Sequence, residues 1–127
     1  METLKINGKE YPITFTGEAV MIAMDELHSD FFRLANTFSE YIANEDVPLM
    51  DIIAKLMYCG IKCTNPEVFR NYKLFMQSVR NLGDFTNLEN LLALNKELYA
   101  SYNIKLDGDE ETEEKEESSK KKVTEAD

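Results

Sequence analysis

Asn7-Gly8 stands between two short apolar-alternating runs, Leu4-Lys5-Ile6 and Tyr11-Pro12-Ile13-Thr14-Phe15, and no other signal narrows the fold as much. A two-residue type I′ turn requires positive φ at both central positions, and Asn-Gly adopts it at the least steric cost. The pair predicts a β-hairpin over residues 3–15. Side chains alternate along a strand, so Leu4, Ile6, Tyr11, Ile13 and Phe15 share one face, with Lys5, Glu10 and Thr14 on the other. Pro12 falls on the outward set and removes a backbone donor, which makes its strand an edge. An isolated two-stranded hairpin is marginal in water, so the apolar face must lie on the rest of the chain.

Beyond the hairpin the chain reads as helix. Gly17 to Leu27 gives a first helix directly after the second strand. Phe31, Leu34, Ala35, Phe38, Tyr41 and Ile42 fit the i, i+3, i+4, i+7 pattern of a second. Leu49, Ile52, Ile53, Leu56, Met57 and Gly60 repeat it after Pro48, a residue suited to a first helical turn. Val68, Phe69, Tyr72, Phe75, Met76 and Val79 form a fourth stripe, opened by Asn65-Pro66-Glu67: Asn as N-cap, Pro at the first position, an acid near the positive end of the dipole. Leu88, Leu91, Leu92, Leu98, Tyr99 and Tyr102 form the fifth, with Gly83-Asp84 as the break before it and Thr86-x-x-Glu89 as a capping box. Loops are short, so successive helices are expected to pack as antiparallel neighbours. The predicted fold is mainly α: an N-terminal β-hairpin packed on a bundle of about five helices, with a disordered acidic C-terminal tail.

The boundary between body and tail is drawn from charge. Of the 127 residues, 24 are acidic and 14 basic. Residues 1–106 carry 14 acids and 10 bases, whereas residues 107–127 carry 10 and 4. From Asp107 to Lys122 there is no apolar residue, and such a segment cannot offset the entropy of ordering. A helical body over 1–106 and a disordered charged tail over 107–127 are expected. The mildly acidic body argues against nucleic-acid binding, which needs clustered Lys and Arg. No apolar run approaches the ~18 residues of a membrane span, and Met1-Glu2-Thr3-Leu4-Lys5 lacks the plan of a signal peptide. A cytosolic location is expected, and with it two free thiols rather than a disulfide.

Candidate chemistry is sparse. The single histidine, His28, sits near the end of the first helix, where the dipole favours a cation, and no nucleophile–base arrangement surrounds it in sequence. Cys59 and Cys63 share a helix face at i, i+4, but a structural zinc site needs four ligands, so two small apolar-packing thiols are expected. Asp107-x-Asp109-x-Glu111 resembles the start of a calcium loop, yet its sixth position is Thr112 instead of Gly and its twelfth is Ser118 instead of Glu. The five glycines are not clustered into a phosphate cradle. The adjacent acids Asp25-Glu26 and Glu45-Asp46 face apart on a helix and read as solvated charges. No catalytic, cofactor or metal residue is assigned, and a protein without enzymatic activity is expected.

Two features favour partner binding. Met21, Met24, Met50, Met57 and Met76 fall on or beside apolar stripes; methionine adapts to irregular partners, and it equally fills gaps in a helical core. The acids Glu110, Glu111, Glu113, Glu114, Glu116 and Glu117 could screen a basic partner or simply keep the chain soluble.

In element order the chain resembles the tail assembly chaperones of long-tailed phages that infect Gram-positive bacteria. The residues that carry the resemblance are Leu4-Lys-Ile-Asn-Gly-Lys-Glu-Tyr-Pro-Ile-Thr-Phe15 and the helix from Ala19 to Leu27. Leu49-Met-Asp-Ile-Ile-Ala-Lys-Leu-Met-Tyr-Cys-Gly60, then Asn65-Pro-Glu-Val-Phe69, and a final helix ending Glu97-Leu-Tyr-Ala-Ser-Tyr102 ahead of a charged tail complete it. It covers about residues 1–104 and includes no catalytic motif. It implies binding to a tape measure protein, recruitment of tail tube protein, action in the host cell cytoplasm and absence from the mature virion. It also implies a longer product made by ribosomal frameshifting, to which the adenine-rich codons of Lys120-Lys121-Lys122 are suited, and self-association into a homo-oligomer stays open. Two other readings remain: a small acidic adaptor or inhibitor of the nucleic-acid-mimic type, and a minor structural component of the virion.

Overall fold

Asn7 and Gly8 both take positive φ, 56° and 78°, as a type I′ turn requires. In this computed structural model, which describes residues 1–102, the turn joins strand β1 (Thr3–Ile6) to strand β2 (Lys9–Pro12) in antiparallel register, Leu4 opposite Tyr11 and Ile6 opposite Lys9. The ladder stops at Pro12, earlier than the expected Phe15, although Ile13 N still donates to Glu2 O. Beyond that bond Thr14 N turns to Gly60 O. The predicted face is as expected: Leu4, Ile6, Ile13 and Phe15 are buried and Tyr11 is partly buried.

Six helices complete the body: α1 (Gly17–Asp25), α2 (Phe31–Ala43), α3 (Met50–Thr64), α4 (Tyr72–Ser78), α5 (Gly83–Thr86) and α6 (Leu88–Tyr102). Helix α3 is the axis. From Leu56 to Ile61 every residue is buried, as expected of a helix covered on all sides. Helices α1, α2 and α6 pack around it; β2 lies on α3, and β1 lies on α6. Local chemistry sets the helix starts. Thr16, Asp30 and Asn71 accept from the first free amides of α1, α2 and α4. Helix α1 ends with His28 at φ 51°; Ser29 N reaches back to Ala23 O, the long closing bond of a left-handed helix stop.

Five local expectations are corrected. Asn65 ends α3 instead of capping the next helix, and α4 starts only after Asn71. Lys62 Nζ donates to both Pro66 O and Phe69 O, carbonyls that a helix from Asn65 would need for its own ladder, while Asn65 Oδ1 closes a small turn onto Glu67 N. Thr86 is not a capping box: its hydroxyl bonds Gly83 O within the single-turn α5, and Asn87 Oδ1 accepts from Asn90 N at the start of α6. Gly83-Asp84, expected as a break, opens that extra turn. Finally, α6 faces the core with Leu91, Leu94 and Leu98, while Leu88, Leu92 and Tyr99 face out. Pro48 lies just outside α3, whose N-cap is Leu49. The body–tail boundary at Leu106 lies outside the described residues.

Candidate docking groove

Phe31-Phe32 opens α2, and two consecutive helical residues cannot face the same way. Phe31 turns inward, 5% exposed, and packs its ring on Phe15 at 5.5 Å; Phe32 stays 50% exposed with its ring edge against Phe31 at 5.9 Å. On α1, Val20 and Met24 are one turn apart and face the same side. These residues line two adjoining depressions of about 330 and 510 Å³ that share Val20, Phe31 and Phe32. The first continues to Leu98 and Ser101 on α6 and the second to His28 and Asp30. The result is an open apolar groove between α1, the start of α2 and the last turns of α6. Its floor is buried aromatic carbon and its walls include Met24, 57% exposed.

Asp30 lines this groove, and Arg33 follows Phe32 on α2. Between Lys9 and Arg33 the chain has no Lys or Arg, but it carries Glu10, Glu18, Asp25, Glu26 and Asp30. Glu18 sits in the first turn of α1, where the dipole favours it. Asp30 caps α2 and lines the groove. Glu26 departs from the solvated-charge expectation: it is half-buried, accepts from Tyr58 Oη at 2.8 and 2.9 Å and from Tyr72 N at 2.6 Å, and so ties α1, α3 and α4 together. Asp25 is exposed as expected.

The methionines separate. Met24 lines the groove and Met21, 55% exposed, stands beside it on α1. Met50 is exposed at the first turn of α3, Met76 is half-buried on α4, and Met57 is fully buried in the core, where it offers no atom to a partner. Glu110, Glu111, Glu113, Glu114, Glu116 and Glu117 lie outside the described residues, as do Asp107, Asp109 and Lys120–Lys122. Phe32 was missed by periodicity alone, because the stripe assigns Phe31 inward and says nothing of its neighbour. The doubled aromatic at a helix start is the signal that could have found it.

The two thiols differ: Cys59 is buried and Cys63 half-buried. Burial, then the nearby Cys63 and Glu26 charges, push the Cys59 thiol up to about 12, so it is protonated at neutral pH and a poor nucleophile. Cys63 is half-buried and faces Thr16 Oγ1 at 3.6 Å. Among the described residues no three His, Cys, Asp or Glu side chains gather into a metal-binding group, and no helix is long and apolar enough to cross a membrane. The open apolar groove has the form that receives an apolar segment. No family model, curated protein or solved structure matches the chain.

Proposed function

We propose that the protein is a non-enzymatic tail assembly chaperone. It holds an apolar helical segment of a tape measure protein in the α1–α2–α6 groove, keeps that client soluble in the host cytoplasm and helps bring tail tube protein to it. One observation carries the reading: Met24 and Phe32 remain about half exposed over a floor of Phe15 and Phe31, and an apolar groove on a small helical body takes up an amphipathic helix. The resemblance in element order supplies the client's identity.

Co-expression tests this. The full chain is expected to move the tape measure protein from the pellet to the soluble fraction and to co-purify with it. Met24→Glu with Phe32→Glu is expected to abolish both effects, since two carboxylates would be buried against the client. Both positions are exposed, so the variant keeps its fold, which circular dichroism verifies. A client that stays insoluble beside the wild-type chain overturns the proposal.

A further inference from the structure

Asn7-Gly8 is the one Asn-Gly pair in the chain, and it carries a chemical liability as well as a turn. The backbone nitrogen that follows an asparagine can attack the asparagine's own Cγ. Glycine leaves that nitrogen most open, because it has no Cβ to shield it. Gly8 N then bonds Asn7 Cγ and gives up its proton, the Cγ–Nδ2 bond breaks, and ammonia leaves carrying that proton. The product is a five-membered succinimide. Water opens the ring in one of two ways. Addition at Cγ leaves an ordinary aspartate; addition at the main-chain carbonyl carbon leaves an isoaspartate, whose backbone runs through Cβ and Cγ.

The folded chain holds the pair in a shape that forbids the first step. Asn7 is exposed to water, yet both ends of its side-chain amide are fastened. Nδ2 donates to Ser78 O at 2.7 Å and Oδ1 accepts from Arg80 N at 3.0 Å, while Asn7 N donates to Asp84 Oδ2 at 2.9 Å. Attack needs the reacting atoms close and aligned, so Cγ must swing away from both side-chain partners. The backbone opposes it too. Asn7 and Gly8 have φ of 56° and 78°. In a type I′ turn ψ is about +30° at the first central residue, which sets Cβ and the next nitrogen nearly opposite each other across the Cα–C bond. Ring closure needs them on the same side. The turn must therefore unwind and let go of segment 78–84 before it can react.

We propose that Asn7 is a spontaneous deamidation site, guarded by the docked hairpin and opened by its release. A chain whose turn stays loose is converted, with water as the co-reactant, into forms that fit the clasp badly. Aspartate at this position has no Nδ2 donor: an oxygen would face Ser78 O, and a second carboxylate would join that of Asp84. Isoaspartate lengthens the backbone of a turn whose two-residue loop sets the register of β1 against β2. The ammonia is lost, so the conversion records time spent undocked. The inference does not depend on what occupies the groove.

Peptide mapping by mass spectrometry tests it on the full chain, held in neutral buffer with and without guanidinium chloride. In denaturant, Asn7 is expected to convert ahead of every other asparagine. The native reaction runs only from the open form. Each of the three bonds shifts the ratio of closed to open by roughly two- to tenfold, so native conversion is expected to be at least about tenfold slower. Asp84→Ala removes one of these bonds and keeps the carbonyl that Asn90 uses. It is expected to speed native conversion by roughly two- to tenfold and to leave the rate in denaturant unchanged; circular dichroism verifies that its helix content is kept. Asn7→Asp reproduces one product, and its amide at position 7 is expected to exchange hydrogen about tenfold faster than in the native chain. Equal conversion rates with and without denaturant overturn the proposal. So do first conversion at another asparagine, an Asp84→Ala chain that converts no faster than the native one, and an Asn7→Asp chain whose amide is as well protected.

Discussion

Asn90 places its side-chain amide where the peptide group of a third strand would stand. Its Oδ1 accepts from Lys5 N at 2.9 Å and its Nδ2 donates to Lys5 O at 3.0 Å and to Asp84 O at 2.8 Å. The outer edge of β1 is thus closed by a helix residue. Asn90→Ala would leave the part-buried amide and carbonyl of Lys5 without these partners, each costing about 1–3 kcal/mol at most. The expected loss of stability is ~3 kcal/mol, read by urea denaturation; Asn90→Asp keeps the shape but loses both donors and should cost as much. Gly60 works by absence. A Cβ there would stand 3.1 Å from Ile13 Cβ and 3.2 Å from Phe15 Cε1. In an open helix Gly→Ala would gain ~1 kcal/mol. Here Ile13 cannot retreat, because the next residue's amide is tied to Gly60 O itself, and overpacking costs ~1–3 kcal/mol. Gly60→Ala is therefore expected to lower the melting temperature, against its helix propensity.

The junction of α1, α3 and α4 is held by one carboxylate. Glu26→Ala would strand the fully buried Tyr58 hydroxyl and the Tyr72 amide, at a cost of about 2–4 kcal/mol. A cycle with Tyr58→Phe should show strong coupling between the two positions. The same elements set an alkaline limit. Burial first, then hydrogen bonding to Glu26, pushes Tyr58 well above the ordinary tyrosine value; burial, then the Asp51 and Cys59 charges, raises Tyr72 to about 12; Cys59 also rises to about 12. Each group is neutral when protonated, and the folded state keeps its proton to higher pH than the unfolded chain. Between the two values the folded state binds more protons, so stability falls as pH rises. Thermal melts should begin to drop from about pH 9, the ordinary thiol value, and Cys59→Ala should move the onset towards the tyrosine value of 10. Periodicity found α1, α2 and α3 because their stripes are clean. It misplaced α4 because Asn65-Pro66-Glu67 satisfies a helix start locally, while Lys62, three residues upstream, claims the carbonyls. It misread α6 because leucines occupy two faces, and a sequence does not say which one the body covers.

Across the molecule, the hairpin and most of the helix order were readable because each rests on local rules: a turn that needs Asn-Gly, and apolar residues that recur at helical spacing in α2 and α3. The groove was not, since it depends on how the end of α6 meets the starts of α1 and α2, a long-range fact. Methionine spacing pointed towards it through Met21 and Met24 and away from it through Met57. The ribbon's second edge is blunt as well: Pro12 has no amide hydrogen, and its carbonyl accepts from Thr64 Oγ1. Strand addition, one route to aggregation, is thus blocked at Lys5 on one edge and hindered at Pro12 on the other. Pro12→Val should restore a donor there with little change in stability, and light scattering on storage checks whether self-association increases.

The bond from Glu2 N to Glu97 Oε1 and the Asn90 clasp span 95 and 85 positions of the chain. During synthesis, the opening ribbon emerges long before the helix that receives it exists. The first segment made is therefore among the last to settle: α3 can receive Ile13 and Phe15 earlier, but β1 must wait for α6. Pulsed hydrogen exchange during refolding should find the Lys5 amide protected in the same kinetic phase as α6, never ahead of it.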